Sequence, residues 1–224
     1  MNRRAASLGA RVLQECIWIG GNAIYRSWFR LSCRGREHLP RKSGYIIAAN
    51  HVSHLDGPAI AAAQQIHIRR VHSLAARDYF FDSPLKAWIC DRCLNMIPFQ
   101  RQGSFRDCLT QCQQLVAKGD ILLVFPEGTR SLSGTLQLFK PGLGLLAVQL
   151  GVPIVPAYIQ GTFQALPKGT SIPRPYPIQV RFGKTIDPAT YEAARSPLDS
   201  RQLYRQIVAD VHQAVATLRD CPDA

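Results

Sequence analysis

A three-layer α/β domain, with a mixed central sheet flanked by helices and an amphipathic helical segment ahead of it, is the fold this sequence predicts. Three observations predict it. From Gly44 onward, short apolar runs rich in β-branched residues alternate with stretches of helical periodicity; Gly and Pro punctuate the joins; and 224 residues suit one domain able to bury a core. With 46% hydrophobic and 19% charged residues and no low-complexity tract or repeat, the composition is that of a globular chain rather than a disordered one.

Residues 8–31 set Leu13, Ile17, Ile24, Trp28 and Leu31 on a helical stripe that Gly20-Gly21 interrupts. Two short amphipathic helices are expected there, either lying in a membrane interface or packed on the domain's own core. Strands are expected at 45–49, 71–75, 96–99, 121–125, 153–159 and 178–182, and helices at 57–66, 84–94, 104–118 and 141–150. A last helix, 199–219, repeats Leu203, Ile207, Val211, Val215 and Leu218 at helical spacing, a core-facing stripe. Residues 141–159 carry no charge and reach the length of a membrane span, but Gly151, Pro153 and Pro156 would break a helix; a helix, a glycine stop and a strand fit better.

Lysine and arginine number 27 against 15 acidic residues, a net charge of +12. Residues 1–42 hold nine basic residues against Glu15 and Glu37, so +7 of that surplus sits at one end. Such a surplus implies an anionic partner. The arginines interleave with Ile17, Ile19, Trp28, Phe29 and Leu31, a mixture suited to the headgroup boundary of an anionic membrane surface, and no nucleic-acid motif appears, so no nucleic-acid partner is expected. The expected division is a basic membrane-docking segment at 1–40 and an enzymatic domain at 41–224.

Seven cysteines, an odd number, accompany no signal-peptide pattern, since Arg11, Glu15 and Gly20-Gly21 interrupt any apolar run. A reducing compartment, a mature start at Met1 and peripheral attachment to the cytoplasmic face of a membrane are expected. Cys90-x2-Cys93 and Cys108-x3-Cys112 approach zinc spacing, but both pairs have helical spacing beside Trp88, Ile89, Leu94 and Leu109. They read as small buried thiols, and no zinc is expected.

The chemistry is sought at strand ends, where the sites of α/β folds collect. Asn50-His51-Val52-Ser53-His54-Leu55-Asp56-Gly57-Pro58 leaves a strand and enters a helix, with Asp56 placed as an N-cap. A histidine takes a proton from a hydroxyl near neutral pH, and a carboxylate on its other nitrogen fixes the tautomer and steadies the imidazolium. His51 with Asp56 fits that pairing; spacing alone does not exclude His54. His67, His72 and His212 have no carboxylate at a telling distance in sequence and read as structural or exposed.

Phe125-Pro126-Glu127-Gly128-Thr129-Arg130-Ser131 follows the strand at 121–125. A guanidinium there can clamp a phosphate in two-pronged fashion, and Gly128, Thr129 and nearby amides can hold oxyanions. The plainer reading is a solvated turn with a Glu127–Arg130 ion pair.

Together these blocks resemble the glycerolipid acyltransferase family that includes 1-acylglycerol-3-phosphate acyltransferase and other lysophospholipid acyltransferases, with its N-H-x4-D and F-P-E-G-T-R-S motifs. The likeness continues in family order through Phe139-Lys140-Pro141-Gly142, like F-K-x-G, and Val152-Pro153-Ile154-Val155-Pro156, like V-P-I-V-P. It is partial at Asn95-Met96-Ile97-Pro98-Phe99-Gln100-Arg101, where Arg101 is kept but Asn95 stands in place of Gly.

The resemblance implies a glycerol-3-phosphate acyltransferase-like fold and direct acyl transfer without a covalent intermediate. His51, oriented by Asp56, deprotonates the free hydroxyl of a lysophospholipid acceptor, which attacks the thioester of acyl-CoA or acyl carrier protein. Lysophosphatidate, giving phosphatidate, is the expected acceptor. Glu127 joins His51 and Asp56 in the catalytic set; Arg101 and Arg130, with Gly128, Thr129 and Lys140, bind substrate. The family resemblance implies no metal or cofactor. The rival readings are another lysolipid acceptor, a thioester or lipid hydrolase, and a non-enzymatic anionic-lipid binding module.

Overall fold

The computed structural model describes residues 8–41, 43–76, 82–92, 94–99, 105–193 and 199–221. Seven strands among them form one sheet: β1 (Ser32–Arg34), β2 (Tyr45–Ala49), β3 (Val71–Ala76), β4 (Met96–Phe99), β5 (Ile121–Val124), β6 (Ile154–Gln160) and β7 (Gln179–Phe182). Their order is β1-β7-β6-β2-β5-β3-β4. Every pairing is parallel except β6 with β7, so the carboxyl ends of β2 to β6 share one edge. The helices are α1 (Leu8–Ser27), α2 (Asp56–Gln64), α3 (Pro84–Arg92), α4 (Phe105–Ala117), α5 (Gly142–Leu150), α6 (Thr162–Ala165), α7 (Pro188–Ala193) and α8 (Ser200–Asp220).

The two-residue period of a strand sorts the core into two layers. Tyr45, Ile47, Ala49, Ile121 and Leu123 face a cluster with Tyr25 and Phe29 of the amino-terminal segment and Ala59, Ile60 and Ala63 of α2. The intervening Ile46, Ala48, Leu122 and Val124 face Cys108, Cys112 and Val116 of α4, Leu143 and Leu146 of α5, and Leu203, Ile207 and Val211 of α8. All five residues of β2 are buried, as an apolar run covered on both faces requires. Gly151, at φ 60°, closes α5 by donating to Ala147 and Val148 carbonyls, and β6 follows; the uncharged stretch 141–159 is thus a helix and a strand. Among the described residues no helix is long and apolar enough to cross a membrane.

The six expected strands are present, and β1, α6 and α7 were not expected. At the amino-terminal end an expectation is overturned. Residues 8–27 form a single helix through Gly20-Gly21 rather than two. Two helical glycines cost roughly 1 kcal/mol each relative to alanine, and anchors on both sides of the pair offset this. Ahead of it, Gln14 Nε2 donates to Asn95 Oδ1 (3.2 Å), and Glu15 meets His67 Nε2 (2.8 Å) and Arg69 Nη2 (2.7 Å). After it, Tyr25 and Phe29 enter the core.

Two histidines read as structural or exposed have carboxylate partners in the fold. His67 has Glu15 as a carboxylate partner, and buried His72 Nε2 lies 3.2 Å from Asp120 Oδ2. Both partners lie far away in sequence, which is why spacing did not reveal them; both pairs belong to the scaffold. His212 packs edge-on against Phe139.

Candidate active site

The register of the sheet builds the site. Ala48 of β2 pairs with Val124 of β5, so His51 and Glu127 each stand three residues beyond one aligned pair on parallel neighbours, and their loops meet. The His51 backbone is held from both sides: its N–H donates to Glu127 Oε1 (3.1 Å), and its carbonyl accepts from Ser131 N–H (2.8 Å). On the other flank, the Asn50 side chain extends the sheet, donating to the Ile159 carbonyl (3.0 Å) and accepting from the Ile159 N–H (2.7 Å) of β6. Ser53 Oγ donates to the Leu166 carbonyl, and the Tyr25 hydroxyl donates to the Leu55 carbonyl, which fastens the loop to the residues after α6 and to α1.

His51 Nδ1 lies 2.9 Å from Asp56 Oδ2. A carboxylate oxygen only accepts, so Nδ1 carries the proton and Nε2 holds the lone pair of a base. The same Oδ2 accepts from the Val52 and Ser53 N–H groups at 2.7 and 2.8 Å, and Asp56 is fully buried. This corrects the expected N-cap. Asp56 is the first residue of α2, and its carboxylate reaches back into the loop instead of forward to the helix amides, because the loop folds three donors onto it. The His51 ring stacks on Phe125 with centroids 4.1 Å apart, which fixes its plane. His54, the rival base, is exposed and lines an apolar cavity instead.

Glu127 is buried, 3% exposed, although Gly128 and Thr129 beside it are exposed. Burial pushes its carboxyl up to about 8; hydrogen bonds from the His51 and Gln137 backbone oppose the shift, and the charge of Asp56 adds to it. Gly128, at φ 75°, takes a conformation that penalises side chains, and a Cβ there would lie 2.6 Å from Lys140 Nζ. The missing side chain lets the Lys140 ammonium lie over the loop, whose far end is tied by the Lys140 N–H to the Pro126 carbonyl (2.9 Å). Thr129 is exposed and Arg130 half-buried, with Lys168 Nζ 3.5 Å from the Arg130 carbonyl. Three cations and a glycine turn thus share the carboxyl edge of β5, an arrangement able to hold a phosphate. Arg101 and Cys93 lie outside the described residues.

The structure brings together His51, Asp56, Glu127, Gly128, Thr129, Arg130 and Lys140. Sequence reasoning gave no role to Asn50, Ser53, Phe125 or Ser131, although all four lie inside the two blocks; their positions were the available signal. Tyr25 and Lys168 left none. Asn95 adopts a left-handed conformation (φ 51°), which suits Gly and is tolerated by Asn. Its side chain bonds Gln14 and the Ile68 carbonyl, and so belongs to the scaffold rather than to an acceptor pocket.

Beside the loop opens a cavity of about 410 Å³, lined by His54, Gly57, Pro58 and Ala61 around the start of α2, Val71 of β3, Cys90 of α3 and Met96 of β4. No group of three or more metal-ligating side chains occurs among the described residues, and Cys108 and Cys112 sit in the core beside Val116 and Leu122.

Comparison with known proteins accords with this arrangement. The sequence profile of the family described as Acyltransferase matches residues 30–160. The chain is 32% identical over 146 residues to a chloroplastic 1-acyl-sn-glycerol-3-phosphate acyltransferase of Brassica napus, covering 64% of this chain and 41% of that protein. It is 32% identical over 164 residues to one from Chlamydomonas reinhardtii, covering 72% and 48%. It is 31% identical over 135 residues to human 1-acyl-sn-glycerol-3-phosphate acyltransferase alpha, covering 59% and 46%. The matches thus span less than half the length of these curated relatives. The crystal structure of the 1-acyl-sn-glycerophosphate acyltransferase PlsC from Thermotoga maritima superposes with a TM-score of 0.69 at 24% identity, over 97% of this chain and 84% of that one, which shows a shared fold. With both catalytic-type blocks inside the matched span, the chain belongs to the acyltransferase family.

Proposed function

We propose that the protein transfers a fatty acyl group from a thioester, acyl-CoA or acyl carrier protein, to the free hydroxyl of 1-acyl-sn-glycerol-3-phosphate, giving phosphatidate. The observation that carries this reading is the His51 Nδ1–Asp56 Oδ2 contact of 2.9 Å, set in a frame shared with the cationic loop of Arg130. His51 Nε2 takes the acceptor's proton as its oxygen attacks the thioester carbonyl. As the C–O bond forms and the C–S bond breaks, the imidazolium, steadied by Asp56, returns that proton to the departing thiolate. Arg130, Lys140 and the Gly128–Thr129 turn hold the acceptor phosphate, with Arg101 as a second guanidinium. The apolar cavity beside His54 takes acyl chain.

The exposed Val12, Ile19, Ile24 and Trp28 of the amino-terminal segment, with Arg26 and Arg30, support docking of residues 1–40 on an anionic membrane, peripherally and from the cytoplasmic side. The test is a labelled acyl thioester, on CoA and on carrier protein, offered to lysophosphatidate, to phosphate-free lysolipids and to buffer alone. Labelled phosphatidate is expected. Free fatty acid as the main product would make the protein a hydrolase, and a preference for phosphate-free acceptors would remove lysophosphatidate from the reading.

A further inference from the structure

The large apolar side chains most exposed among the described residues are not on α1. They are Leu138 (84%), Ile172 (81%) and Leu132 (76%), all in the loops after β5 and α6. A single exposed leucine is ordinary, but these three lie on two loops that hold each other. Gly134 lies against the Phe163 ring, where a Cβ would come within 2.8 Å, and Lys168 Nζ reaches the Arg130 carbonyl. The second loop folds back on itself through Arg174 N–H to the Ala165 carbonyl (2.8 Å) and joins the catalytic loop through Ser53 Oγ and the Leu166 carbonyl (2.7 Å). Both loops therefore flank His51, and their apolar tips face solvent.

Their charge is one-sided. Residues 128–140 and 166–178 contain Arg130, Lys140, Lys168 and Arg174 and no acidic residue. Tyr176, 43% exposed, adds an aromatic ring of the kind that settles at headgroup depth. Apolar tips on loops whose only charged residues are cations match a surface that is hydrocarbon inside and anionic outside.

We propose that these two loops form a second membrane-docking surface, separate from α1. Leu132, Leu138 and Ile172 enter an anionic phospholipid bilayer around the mouth of the site, so that a lysolipid reaches His51 without leaving the membrane. The proposal rests on the reading that the acceptor is a lipid, and deepens it by fixing which face of the enzyme meets the bilayer.

The test is the full-length protein carrying Leu132→Ser, Leu138→Ser and Ile172→Ser together, none of them in the catalytic or phosphate-binding set. Co-flotation is measured with phosphatidylcholine vesicles with and without phosphatidylglycerol. Acyl transfer is measured on long-chain lysophosphatidate in those vesicles and on a short-chain lysophosphatidate that stays monomeric in water. Vesicle binding and transfer to the vesicle-borne acceptor are expected to fall about tenfold or more, with transfer to the monomeric acceptor and the melting temperature unchanged. Arg174→Gln should weaken binding to the phosphatidylglycerol vesicles alone.

Wild-type vesicle binding by the triple variant would overturn the proposal. So would an equal loss on both acceptors, which would make the loops part of the chemical site, or a wild-type dimer that the substitutions dissolve, which would make them a contact between copies. A raised KM for acyl carrier protein with unchanged vesicle binding would make them a protein-docking face and overturn it too. If the wild type acylates neither acceptor, the acyl-transfer reading fails by itself, and flotation alone decides the loops.

Discussion

Replacing Glu127 by Gln tests the electrostatics of the site through stability rather than rate. In the unfolded chain the carboxyl loses its proton near 4.5, whereas in the folded protein burial holds it up to about 8. Between those values the folded state binds the extra proton, so stability falls as pH rises and levels off above about 8. Each pH unit is worth about 1.4 kcal/mol, so the full span is on the order of 5 kcal/mol. Gln keeps the Oε1 acceptor for the His51 amide and carries no charge to desolvate. Urea midpoints of both proteins, measured from pH 5 to 9, should converge at the acid end and separate as pH rises, with Glu127→Gln the more stable at pH 8. Parallel curves would refute the reasoning and mean that Glu127 is ionised and solvated in the fold.

His51→Ala and Asp56→Asn should each lower transfer by about a hundredfold or more with the fold retained, checked by initial rates and circular dichroism; an inactive His54→Ala beside an active His51→Ala would identify His54 as the base. Arg130→Ala should raise the KM for lysophosphatidate about ten- to a hundredfold over that for the donor, without full rescue by Lys. Arg101→Ala should do the same, and the kinetics of both acceptor and donor decide it. Ala61→Leu adds three carbons to the cavity wall and takes room for about three methylenes, at about 0.8 kcal/mol each, so kcat/KM for long-chain donors should fall about fiftyfold relative to short-chain donors.

Much of this was legible in the residues, and what was not has physical reasons. Apolar runs located the six strands because their residues are mostly buried or partly buried, whereas Ser32–Arg34 is short, polar and half-exposed and leaves no such trace. No local pattern states that β5 lies between β2 and β3, yet that pairing brings the two blocks together. His51 with Asp56 was readable because five residues of turn suffice to join them; the backbone donors that hold Asp56 were not, since they belong to the folded loop. Gly20-Gly21 misled because their local cost is met by Asn95, His67 and Arg69, residues far away in the chain. The two histidine–carboxylate pairs were invisible for the same reason.

The central position of β2 also bears on how the protein is made. Tyr45–Ala49 is an apolar strand with both hydrogen-bonding edges filled, one by β5 and the other by β6. On a ribosome it emerges with neither partner in existence; the first edge is covered only after Ile121–Val124 appears, and the second only after Ile154–Gln160. Until then the chain carries a sticky ribbon just ahead of His51, which has neither Glu127 nor Ile159 beside it to define its position. Assembly of the candidate site is therefore a late event of synthesis, and until both neighbours have been made this segment is open to pairing with the wrong edge.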